Sequence, residues 1–130
     1  MLASLQAQEA LPEPIQFRFV AMFSGFLPNN PTSAVRERII AAAPLPIASF
    51  HCFGSTDQVV SIDRSREALT LFEPELVTAV EHEGGHLLPS TKEVRKAFKA
   101  FLQAQQEGYT QSPQIRTSFK NVRVGFAVRP

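Results

Sequence analysis

Cysteine is almost absent from this sequence: Cys52 is the single one among 130 residues. That excludes an intrachain disulfide and any cysteine-built metal cluster, and it suits a reducing compartment. Long apolar runs are missing too, and none approaches the roughly 20 residues that a membrane-spanning helix needs. The opening MLASLQAQEALPEP has neither the basic start nor the apolar stretch of a secretory signal. The expectation is a soluble protein of the cytoplasm, with the nucleus also open to it. An excess of charge of either sign is lacking as well: the formal net charge is +1, with 19% charged residues. This gives no basis for nucleic acid or an anionic membrane as the partner. The charge is uneven, because residues 108–130 carry Arg116, Lys120, Arg123 and Arg129 and no acid. That stretch reads as a mildly basic surface tail.

What is present is enough apolar material for one packed domain: 44% of the residues are hydrophobic. Residues 2–10 (LASLQAQEA) are good helix formers that stop before Pro12 and Pro14. Residues 17–23 (FRFVAMF) read as a largely buried strand, and Ser24-Gly25 ends it. A helix follows over 32–42, with Val35, Ile39 and Ile40 on one face. Residues 47–53 (IASFHCF) are a second strand closed by Gly54. Residues 61–72 form a helix with Ile62, Leu69 and Phe72 inward, and 76–81 (LVTAVE) form a third strand. Ser90 to Gln106 is the strongest helix. Ser90 and Glu93 have capping-box spacing, and Val94, Ala97, Phe98, Phe101 and Leu102 recur at the helical period. Gly108 is expected to end it, and 122–128 (VRVGFAV) reads as a further strand. Alternating helices and strands predict an α/β fold with a parallel sheet covered on both faces. Such sheets place their sites outside the carboxyl ends of the strands.

Two loops at those ends carry acid–base groups. One is Gly54-Ser55-Thr56-Asp57 and the other Glu83-Gly84-Gly85-His86. The 29 residues from Asp57 to His86 leave room for one helix and one strand, which brings the two loops to neighbouring positions. An imidazole needs a carboxylate on one nitrogen to fix its tautomer; its other nitrogen can then take the proton of a serine hydroxyl.

SGFLP after a strand, then PIASFHCFGSTDQVV, then VEHEGGHLLPS before an amphipathic helix resemble the C-terminal half of the fungal-type serine hydrolase family often called FSH. The resemblance covers roughly residues 1–104. The G-x-T-D-x-V-V and G-G-H-x-x-P segments together carry it. It implies a partial α/β-hydrolase fold, consisting of the last three parallel strands with flanking helices. It also implies triad roles for Asp57 and His86, in the chain order Ser…Asp…His. By this reading residues 1–107 are the C-terminal part of a serine hydrolase domain and 108–130 a divergent or flexible tail. The nucleophile elbow G-x-S-x-G is missing, and so is the oxyanion-hole loop. The opening LASLQAQEALP resembles the end of the helix that follows the elbow, so the serine is expected just before Met1.

Other residues are weighed against this pair. Ser24 has Met22 two positions before it and a proline-rich loop after it, so it lacks the turn and helix of an elbow and is expected to border the pocket. Ser55 and Ser90 read as loop and cap residues, His51 as a packed or partly exposed strand residue, Cys52 as buried and inert, and Glu81 and Glu83 as solvated acids. His82-Glu83-Gly84-Gly85-His86 matches the H-E-x-x-H pattern of zinc proteases. That pattern needs a helix, and each glycine in a helix interior costs about 1 kcal/mol. No metal or other cofactor is expected. The functional expectation is a carboxylesterase-like serine hydrolase family member that keeps the acid and base and lacks the serine. It would be a fragment or inactive alone, and would take a small ester or acyl substrate once completed. The alternative is a non-catalytic α/β binding module, with self-association through an exposed sheet edge.

Overall fold

A computed structural model describes residues 17–30 and 33–111. The helix expected over 2–10 and the strand expected over 122–128 lie outside them. The described elements are β1 (Phe19–Phe23), α1 (Ala34–Ala41), β2 (Ala48–Gly54), α2 (Ile62–Leu69), a 3-10 turn (Pro74–Leu76), β3 (Val77–His82) and α3 (Lys92–Gln111). The three strands form one parallel sheet in the order β1-β2-β3. Phe19 lies opposite Ala48, and Ser49 opposite Val77. Among the described residues no helix is long and apolar enough to cross a membrane.

The alternation of side chains along β2 explains how the layers form. Phe50 and Cys52 face α3 and pack with Val94 and Phe101, joined by the partly buried Phe19, Val80, Ala97 and Phe98. The aromatic rings in this layer meet edge-on or tilted: Phe19 with Phe101 at 5.6 Å between centroids, and Phe50 with Phe98 at 4.9 Å. On the opposite face Leu45, Ile47 and Phe72 form a second cluster with Val20, Met22 and Val77 around them. β2 is therefore buried from both sides, as the central strand of a parallel sheet must be.

Several expectations need correction. β1 is half-buried, not largely buried: Ala21 and Phe23 are exposed, and among the described residues β1 pairs along one edge only. In α1 only Ile39 is buried, while Val35 and Ile40 stay exposed; Arg36 ties the helix to the Pro28 carbonyl and to Glu67 through polar contacts. The buried residues of α2 are Ser65 and Ala68, small side chains that let the helix sit close to β2. Ile62 and Leu69 are at its margin, and Phe72 lies beyond its end. The cap of α3 is Thr91, not Ser90: the Val94 N–H donates to the Thr91 hydroxyl at 3.3 Å. The helix also runs through Gly108 to Gln111, where a helical hydrogen-bond ladder already under way tolerates one glycine.

His51 is 2% exposed, against the edge of the Phe72 ring, and its Nε2 has no hydrogen-bond partner. Burial lowers its pKa from 6.5 to about 4. The unfolded chain then binds a proton between these values that the folded chain refuses, so stability falls as the pH drops from 6.5 towards 4 and levels off below. The predicted loss is at most about 3 kcal/mol. Urea denaturation at several pH values checks this: His51→Leu should flatten the slope in that window, and an unchanged slope would refute the assignment.

Candidate active site

Asp57 follows β2 by three residues and His86 follows β3 by four, so parallel pairing carries both to the same edge of the sheet. The two loops are laced by backbone and side-chain hydrogen bonds. The Ser55 N–H donates to the His82 carbonyl at 2.8 Å and the Thr56 N–H to that of Gly84 at 3.4 Å. The Ser55 hydroxyl also reaches the His82 carbonyl, and the Thr56 hydroxyl donates to the Glu83 carbonyl at 3.0 Å. This lacing requires glycine at 54. A Cβ there would overlap the Gly84 carbonyl oxygen and stand 2.7 Å from that of Gly85.

The result is a bonded pair: His86 Nδ1 lies 2.9 Å from Asp57 Oδ2. The Asp57 side chain has no exposed surface, whereas that of His86 is 47% exposed. Asp57 is surrounded by donors. Its Oδ1 accepts the N–H groups of Val59 at 2.8 Å and Val60 at 2.9 Å, an Asx-type turn leading into α2. Its Oδ2 accepts the Ser24 hydroxyl at 2.9 Å as well as His86. Burial alone would push this carboxyl up. The bonds from Val60, His86, Val59 and Ser24 outweigh it and hold the group well below the usual carboxylate range. An ionised carboxylate only accepts, so the hydrogen between the two groups is carried by His86 Nδ1.

Sequence reasoning missed one member of this cluster. Ser24, expected only to border the pocket, is buried and bonded to Asp57. Its φ of 49° is left-handed, a region that non-glycine residues seldom occupy. The signal was present in Ser24-Gly25 directly after a strand. Its hydroxyl is bonded to the carboxylate of the pair. Val59, Leu87 and Leu88, neighbours in sequence of Asp57 and His86, are all exposed apolar side chains.

Cys52 is 1% exposed, and burial raises its pKa. His51 is buried within β2, in register with Ala79 of β3. Glu81 is an exposed acid paired with Arg66 at 3.0 Å, and Glu83 is exposed. His82-Glu83-Gly84-Gly85-His86 is strand end and loop, not helix. His82 Nδ1 accepts the Gly84 N–H at 3.1 Å while His86 Nδ1 is bonded to Asp57, so the two rings serve different partners. Among the described residues no group of three or more His, Cys, Asp or Glu is placed to hold a metal ion.

Comparison with known proteins gives the family. The family model described as serine hydrolase (FSH1) matches residues 1–98. Esterase OVCA2 of Danio rerio is 31% identical over 102 residues, which are 78% of this chain and 42% of that protein. Esterase OVCA2 of Homo sapiens is 35% identical over 85 residues, 65% of this chain and 35% of that protein. Rhodanese-like domain-containing protein 6 of Arabidopsis thaliana is 36% identical over 98 residues, 73% of this chain and 16% of that protein. The chain belongs to the serine hydrolase (FSH1) family, and its parallel strands and helices are a partial α/β-hydrolase fold. It spans less than half the length of these relatives.

The lacing gives a test. Gly54→Ala should cost about 1–3 kcal/mol of stability, the usual range for forcing atoms into a filled space. It should also move the His86 ring signals in an NMR spectrum. A variant as stable as the parent with unmoved His86 signals would show that the loops do not depend on this approach.

Proposed function

We propose that this chain supplies the acid and base of a serine hydrolase site for small ester or acyl substrates. The observation that supports the reading is the 2.9 Å bond between His86 Nδ1 and a buried, multiply bonded Asp57. In this reading His86 Nε2 takes the proton from a serine hydroxyl as its oxygen attacks the acyl carbon. The same proton then passes to the departing alkoxide, and a water molecule repeats the exchange to free the acid. Asp57 holds the ring in the tautomer with the proton on Nδ1 and stabilises the imidazolium that forms. The exposed Val59, Leu87 and Leu88 suit an apolar acyl group beside the pair.

The serine is a separate matter. The sequence has no G-x-S-x-G, and the Ser24 hydroxyl is held by Asp57. The nucleophile and the oxyanion donors are therefore proposed to come from a segment other than these 130 residues. Without them little rate enhancement remains, because the residual catalysis of triad variants rests on an intact oxyanion hole and binding site. Among the described residues the outer edge of β1 is unpaired and Phe23 is exposed, which supports association with such a segment or with a second copy.

Two measurements test the proposal. The chain alone should show no strong labelling by a fluorophosphonate probe; strong labelling would mean that one of its own serines is activated. In an assembly that hydrolyses an ester, Asp57→Asn should lower kcat by about four orders of magnitude and His86→Ala by about six. Near-normal kcat in His86→Ala would remove His86 from the chemistry.

A further inference from the structure

The Ser24 hydroxyl is bonded to the same carboxylate oxygen that receives His86. A carboxylate offers about four lone-pair positions, two on each oxygen. On Asp57 the two of Oδ1 are taken by Val59 and Val60, and one of Oδ2 is taken by Ser24. The single position left is the one that His86 occupies. With Ser24 in place the carboxylate has only one way to meet the ring. Without it, Oδ2 would have a second free direction, and the ring a wider range of bonded orientations.

The backbone shows that this serine is held there against its own preference. β1 ends at Phe23, and the Ser24 N–H donates to the Cys52 carbonyl at 2.8 Å, one step beyond the Phe23–Cys52 pair of the sheet. The chain then turns through a left-handed φ of 49° at Ser24. Gly25 is packed so tightly that a Cβ would stand 2.9 Å from the Cβ of Met22. Glycine or asparagine would fit the left-handed position with less strain. A strained, buried serine whose hydroxyl reaches one particular oxygen is what a site-shaping role requires.

We infer that Ser24 is a positioning residue: its hydroxyl fixes the Asp57 carboxylate so that Oδ2 presents one lone pair to His86 Nδ1. The inference rests on the reading of Asp57 and His86 as an acid–base pair, and it adds a third residue, from a third strand, to their support. Ser24 acts through Asp57 and touches no reacting atom.

NMR of the histidine ring tests it on the chain itself, without substrate. In the wild type, ring 15N shifts should show the proton on His86 Nδ1, with that proton protected from exchange with water. Ser24→Ala and Ser24→Gly both delete the hydroxyl, but only glycine relieves the left-handed strain, so the two variants should differ in stability. If the hydroxyl matters, they should nevertheless behave alike at His86: the Nδ1 proton moves upfield and exchanges about fivefold faster, as expected for a lost hydrogen bond of ordinary net strength. An unchanged Nδ1 signal, or a downfield shift with slower exchange, would overturn the inference, since the second result would mean that Ser24 merely competes with His86 for Oδ2. A change confined to Ser24→Ala would also overturn it, by tracing the effect to the backbone. A wild-type ring without the Nδ1 proton would instead sink the underlying acid–base pair, and Ser24's role with it.

Discussion

At the carboxyl edge of this sheet the backbone of Gly84 and Gly85 rests directly on Gly54, and the placement of Asp57 and His86 depends on that approach. Loops at strand ends are ordinarily the mobile part of an α/β fold. Here the turn after β3 is tied to the turn after β2 by the N–H groups and hydroxyls of Ser55 and Thr56, all directed at carbonyls of His82, Glu83 and Gly84. Each such bond contributes about 0.5–1.5 kcal/mol net, so their sum can offset a substantial part of the entropy lost in ordering the two turns. The main chain, with the hydroxyls of Ser55 and Thr56, thus sets where the Asp57 and His86 side chains start from.

The same end of the molecule shows how hydrogen bonds decide which buried group carries charge. Asp57 and His51 are six residues apart, and both are nearly inaccessible. Burial opposes the charged form of each. Asp57 has donors on both oxygens, and its ionised form wins. His51 has an unpartnered Nε2 and the edge of a phenylalanine ring, and its neutral form wins. Cys52 between them is likewise held as a thiol. Asp57 is thus held as the carboxylate, while His51 and Cys52 stay neutral.

The alternating order of elements, the three strands and the meeting of Asp57 with His86 were legible in the sequence, because each rests on a period or a spacing that survives folding. The parts that were not legible depend on contacts between distant segments. Ser24 and Asp57 are 33 residues apart, and Ser24-Gly25 after a strand signals a turn without saying which carboxylate the serine meets. Val35 and Ile40 have the spacing of a buried face, but burial needs a partner surface, and α1 offers only Ile39 to the described core. Ser90 and Thr91 are equally good caps by type; the choice fell on Thr91 because its hydroxyl, not that of Ser90, meets the Val94 N–H. Gly108 failed as a stop because a glycine ends a helix only when the chain has reason to turn.

The pattern H-E-x-x-H illustrates the same dependence of chemistry on backbone. On a helix, residues i and i+4 share a face and can grip one ion. Here His82 still belongs to β3, and four residues later the chain has turned through two glycines. His82 therefore takes the N–H of Gly84 and helps to shape the loop, while His86 is delivered to a carboxylate on the neighbouring strand. One string of five residues thus gives a turn-stabilising ring and a carboxylate-bound ring. None of the hydrogen bonds that fix the second ring and its partner comes from a nucleophile: they run among Ser24, Asp57, Val59, Val60 and His86. The Asp57–His86 pair is therefore organised by bonds among these five residues.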